Sequence, residues 1–152
     1  MQFDDLLRRR RIHRHRASSE EIARLILLAE RDLRLARHTM AEDWDWGFSI
    51  AYNAVLQSAR AYMYSRGFRP TASQGHKNTF AFMGQALGDE FSSIIGYFDR
   101  MRTKRNQAIY DVAGLITEQE AHSILRHATE FVETIKAKLG EHLGSQAGRD
   151  ED

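Results

Sequence analysis

Two arginines stand where a helix ought to be apolar. Residues 89–110 carry an apolar stripe of Phe91, Ile94, Ile95, Phe98, Met101 and Ile109. With Phe91 at zero on a helical wheel, Arg102 falls at about 20° and Arg105 at about 320°, inside that stripe. A guanidinium buried there without a partner costs several kcal/mol. A carboxylate of the same chain, such as Asp45 or Asp111, a second subunit, or an anionic ligand would meet the charges. Snorkelling at the exposed end of the helix is the remaining reading. Arg102, Asn106 and Tyr110 follow one another at spacings of four, which stacks them on one edge of the helix. Lys104 and Arg100 face the other way and are expected in solvent.

The histidines do not form a metal set. His122 and His127 are five apart on one helix, and His13 and His15 belong to a separate basic segment. The chain has no cysteine. No metal site and no cofactor are expected.

These side chains need a scaffold, and the sequence reads as all-α. Proline occurs once, at Pro70. A first helix is expected from Ser18, where Ser18 and Glu21 are spaced as a capping box, through Met40. Its stripe is Ile22, Leu25, Ile26, Ala29, Leu33, Ala36 and Met40. A second helix runs from about Trp46 to Arg66, with small Ala51, Ala54, Ala59 and Ala61 for close packing. Gly67 is placed to end it, and Pro70 prevents its continuation. A short helix spans about Lys77 to Leu87, and a fourth runs from a cap at Asp89 to Tyr110. Thr117 and Glu120 form a second capping box, opening a last helix that Gly140 stops after Leu139. Trp44 and Trp46 read as packing anchors with one ring partly exposed. Tyr52, Tyr62 and Tyr64 read as core or rim. No strand pattern is visible. The expected architecture is an up-and-down bundle of four long helices and one short one.

Charge divides the chain further. The body is near neutral, in a chain of net charge +1. Residues 1–17 hold six arginines, all within residues 8–16, and read as a basic N-terminal arm, solvated or phosphate-binding. Residues 18–143 form the bundle, and residues 144–152 read as a disordered acidic tail. No apolar run is long enough for a membrane span, and no secretory leader is visible, so a cytoplasmic location is expected.

The segment RNQAIYD, residues 105–111, at the end of a long penultimate helix in a small bundle, resembles the HEPN family. The name stands for higher eukaryotes and prokaryotes nucleotide binding. Many members are metal-independent ribonucleases with an Arg, often followed by a polar residue, and a downstream His. Arg105 and Asn106 match the start of that motif, and Tyr110 stands where its shortest version has His. The segments FSIAYNAVLQSARAYMYSRGFRP (48–70), GHKNTF (75–80) and YFDRMRTKRNQAIYD (97–111) are similar to a divergent branch with Tyr at this place. The resemblance covers most of residues 20–140.

The resemblance implies a homodimer whose paired motif helices line one cleft, in a protein of toxin–antitoxin or defence type that binds or cleaves RNA. Arg105 would be the main phosphate ligand, Asn106 its orienting partner and Tyr110 a hydrogen-bond donor, with Arg102, His76 and Lys77 beside them. In active relatives the His assists attack of a 2′-OH on the adjacent phosphate. A phenol, with an ordinary pKa of about 10, is a poor base at neutral pH. Whether catalysis survives is therefore open, and His76, in its Gly-flanked loop, is the candidate replacement base. The other reading is a non-catalytic dimerisation or docking module that pairs with a nucleotidyltransferase or an antitoxin. A small-nucleotide pocket is a third, without a Gly-rich phosphate loop to support it, since GHKNTF is not a P-loop.

Overall fold

The computed structural model describes the backbone of residues 2–150 and the side chains of residues 2–141. Six helices and one two-stranded antiparallel sheet make up the described residues. The architecture is an all-α bundle, as the helix formers and single proline require.

Helix α2 (Ser19–Thr39) starts where the capping box places it, with the Ser18 hydroxyl accepting the Glu21 amide at 3.1 Å. Ile22, Leu25, Ile26, Ala29, Leu33 and Ala36 are buried along one stripe. Helix α3 (Trp44–Ser65) begins two residues before the expected start, because Asp43 caps it through the Trp46 amide at 2.9 Å. It is the central helix, packed on α2 and on three later helices. Its buried alanines, Ala51, Ala54, Ala59 and Ala61, allow that approach from several sides. At Gly47 a methyl group would press into Met40, whose Cα would lie 3.1 Å away, so the α2–α3 crossing needs glycine there. Gly67, at φ +87°, ends the segment as expected.

The basic segment is folded. Helix α1 (Asp4–Arg8) is followed by β1 (Ile12–Arg14), which pairs antiparallel with β2 (Phe68–Pro70) in the register His13 with Arg69. Phe3, Leu6 and Ile12 are buried, and Phe3 stacks on Phe82 with ring centres 4.4 Å apart. Counting arginines hid this, because the apolar anchors sit just before the run, at Phe3 and Leu6, and within it, at Ile12. The expectation of no strand is corrected on the same ground: three-residue strands are too short to show an alternation.

Helix α4 (Gly75–Leu87) starts two residues earlier than expected. Asp89–Phe91 form a 3₁₀ turn rather than a capped α-helical start, and α5 follows as Ser92–Asn106. The expected continuation to Tyr110 is instead a π-helical turn, Gln107–Asp111. A wider turn shifts the helical phase. Ala108 is buried there and Ile109 is only half-buried, which reverses the wheel at its end.

Helix α6 (Glu118–Asp150) opens with the reciprocal box: the Thr117 hydroxyl accepts the Glu120 amide, and the Glu120 carboxylate accepts the Thr117 amide, each at 3.1 Å. Ala121, Ile124, Ala128, Phe131, Val132, Ile135 and Leu139 are its buried face. The backbone passes Gly140, since glycine lowers helix propensity without forbidding a helix. Residues 144–152 read as a disordered acidic tail; the described backbone continues α6 to Asp150, the side chains of 142–150 lie outside the described residues, and residues 151–152 lie outside altogether. Among the described residues, no helix is long and apolar enough to cross a membrane.

Candidate functional site

The loop before α4 is held from several sides. Asn78, buried one turn into α4, donates to the Ser73 and Thr71 carbonyls at 2.9 and 3.3 Å and accepts from Arg11 Nε at 2.9 Å. Gln74 takes the left-handed conformation (φ 57°) that turns the chain into the helix. The result sets His76 and Lys77 opposite the last turns of α5. Gln74, Gly75, His76, Lys77, Arg102 and Asn106 line a cavity of about 400 Å³ there.

Each arginine has its own arrangement. Arg102 is half-buried and its Nε donates to Asp99 Oδ1 at 3.1 Å, one turn back on α5. Arg105 has no carboxylate partner among the described residues. Its Nε is enclosed without an acceptor, and its guanidinium carbon lies 5.6 Å from the centre of the Tyr52 ring. Asp45, considered as a partner, is committed elsewhere. Its carboxylate accepts the amides of Gly114 at 2.6 Å and Ile116 at 3.0 Å, fixing the loop between the π-helical turn and α6. Asp111 is exposed.

Tyr52 links the arginine to the histidine. It is fully buried, and its hydroxyl lies 3.1 Å from His76 Nδ1. Burial, opposed by Arg105 and Arg102, holds the phenol well above the usual tyrosine range, so it keeps its proton. Burial, and then Arg105, Arg102 and Arg60, lower the His76 pKa. A buried hydroxyl that donates nowhere costs about 1–3 kcal/mol. Donation from Tyr52 to Nδ1 avoids this cost and leaves the neutral imidazole proton on Nε2. His76 is then a hydrogen-bond donor through Nε2, not a base through it.

The other expected residues divide. Asn106 is exposed at the cavity edge. Tyr110 is 75% exposed on the π-helical turn and does not line the cavity. The wider turn removes it from the ladder that a regular helix would form with Arg102 and Asn106. Lys104, expected in solvent, is half-buried and ion-paired with Glu120, tying α5 to α6. Arg100 is exposed as expected. Trp44 packs on the core and meets the His122 ring, while Trp46 stays exposed. His127 packs on Tyr97, and His15 on Tyr64. Among the described residues, no three His, Cys, Asp or Glu side chains converge as metal ligands. Sequence reasoning missed Tyr52 as the link between Arg105 and His76. Its place on the α3 core face was visible, but its hydroxyl partner lies on another helix.

Chemically, the cavity offers one guanidinium from Arg102, the Lys77 ammonium, the side-chain amides of Gln74 and Asn106 and an imidazole N–H, while Arg105, packed on Tyr52, is not among its lining residues. No carboxylate is among the residues lining the cavity. Such a set favours a phosphate oxygen. The model for the HEPN domain matches residues 22–138, which takes in α4, α5 and most of α6 with the cleft between them. A search of curated proteins gave no match. HEPN domains serve ribonuclease and toxin–antitoxin or defence functions, and they commonly dimerise. With the family model spanning most of the chain and the bundle carrying its helices in order, the chain belongs to the HEPN domain family.

Proposed function

We propose that this protein binds RNA through the cleft between α4 and α5, in a toxin–antitoxin or defence setting, and that it does so as a homodimer. Arg105 and Arg102 hold a phosphate, Asn106 orients it, and Lys77 and the His76 Nε2–H add donors. The observation that carries this reading is the cavity itself: Arg102, Lys77, His76 and Asn106 line it and no carboxylate does, and Arg105, which is not a lining residue, joins the reading through its unpartnered guanidinium on the Tyr52 ring that bonds His76. Pairing of two such clefts across a dimer brings both sets of arginines to one strand and places the exposed Tyr110 at the shared edge.

Cleavage is the weaker half of the family chemistry here. Tyr110 takes the motif position of His, it stands outside the cavity, and His76 lacks a free Nδ1. These features favour a binding or assembly module that pairs with a nucleotidyltransferase or antitoxin over a rapid ribonuclease. Incubating the purified chain with RNA in EDTA, beside Arg105→Ala and Tyr110→Ala, separates the two. Intact RNA with a confirmed dimer supports the binding module. Cleavage lost in both variants establishes a metal-independent nuclease.

A further inference from the structure

A second cavity, about 530 Å³ in volume, lies on the other side of His76. Its walls come from β1, β2, the loop residues 71–73, α3 and α4. His13, Arg60 and Arg69 supply its cationic and polar side, and Leu56, Tyr64 and Pro70 its apolar side. No carboxylate is among the lining residues. Gly75 and His76 line this cavity and the α4–α5 cleft alike, so the two share one wall at the start of α4.

We propose that this second cavity is a subsite for a neighbouring nucleotide of the same RNA strand, its phosphate held by Arg60 and Arg69 and its base against Leu56, Tyr64 and Pro70. The inference rests on the RNA reading of the first cleft. Arg60 is short of acceptors. Its Nη2 donates to the Tyr64 hydroxyl at 3.2 Å, its Nε is enclosed without a partner, and no carboxylate pairs with it among the described residues. A phosphate supplies what the guanidinium lacks. Arg69 is exposed on β2, held in register opposite His13 at the cavity mouth. The volume falls within the range of about 300–1,000 Å³ usual for small-ligand sites. Arg60, which lines this cavity, and Arg102, which lines the other, both bear on the imidazole of His76 at the shared wall. The 13-residue helix α4 adds its N-terminal dipole at the shared wall, where no side chain caps it.

The test is fluorescence anisotropy with a labelled RNA hexanucleotide, and competition by uridine 5′-monophosphate, on the full chain. Arg69→Gln is the principal variant, since Arg69 is exposed and its loss spares the core. Arg60→Gln is the second, with circular dichroism to check folding. Each is expected to weaken hexanucleotide binding by about tenfold and to reduce the salt slope by about one phosphate. Competition by the mononucleotide that depends on Arg69 assigns the same subsite to a free nucleotide as well as to the strand. Weakening by Arg69→Gln with Arg105→Gln unaffected keeps the second subsite and removes the first cleft as the RNA site. Hexanucleotide and mononucleotide affinities unchanged in Arg69→Gln and in folded Arg60→Gln, with the wild-type salt slope, overturn the proposal.

Discussion

Arg105 rests its guanidinium on the ring of Tyr52, 5.6 Å from centre to centre, and no carboxylate among the described residues pairs with it. A charge kept half-buried without an ion pair is held by a π-face and by whatever anion arrives. A ligand-binding arginine and a structural one differ in what their removal costs, and that difference is measurable.

Arg105→Ala is expected to change stability little, by about 1 kcal/mol or less, the scale of a partly exposed cation–π contact. Breaking one side of a buried ion pair instead costs about 3–5 kcal/mol. Urea unfolding of the two proteins decides between them.

Leu6→Ala is expected to cost about 2–5 kcal/mol, the usual range for emptying a packed leucine site. Leu6 is 2% exposed although it stands two residues before the arginine run. A substitution without effect on the thermal midpoint would return residues 1–17 to the status of a solvated arm.

Asp45→Asn keeps the size of the side chain and removes its charge. The two amides it serves, Gly114 and Ile116, fix the loop that follows the π-helical turn. An Asn oxygen serves one of them at best, so a loss of about 1–3 kcal/mol is expected. Faster hydrogen exchange at Gly114 and Ile116 is the local readout.

His76 gives a pH dependence with a definite sign. Its folded pKa lies below the ordinary value of 6.5, with burial the first cause and Arg105 the second. The unfolded chain therefore binds the proton more readily, and stability falls as pH drops from above 6.5 towards the folded pKa. His76→Gln is expected to flatten that part of the stability profile. RNA acts in the opposite sense. A phosphate beside the imidazole raises its pKa, so binding takes up protons and tightens as pH falls. An RNA affinity independent of pH between about 5 and 7 would place the phosphate away from His76.

Local signals carried much of the fold. Ser18 with Glu21, Thr117 with Glu120, and Gly67 each act on neighbours within one turn, and each forms as its residue types require. The buried stripes of α2 and α6 follow from their spacing. The misses have a common physical cause. The turn at Gln107–Asp111 is π-helical, packs on α3 and precedes the Asp45-held loop, a setting that the spacing of its own residues does not encode. Phe3 and Ile12 are buried by partners more than 50 residues away, Phe82 and Phe68 among them. In the site, Arg102, Asn106, His76 and Lys77 were legible as separate chemical groups and do line one cavity. Their neighbour Tyr52 was not, because a hydroxyl on a core face announces nothing about its partner.

The most direct test is equilibrium binding of a labelled single-stranded RNA to the wild-type chain and to Arg105→Ala, each across a salt series. The account predicts salt-dependent binding that weakens about tenfold or more in the variant, with a salt slope smaller by about one phosphate. Equal affinity and equal slope in the two proteins, at matched folding and matched oligomeric state, would contradict it.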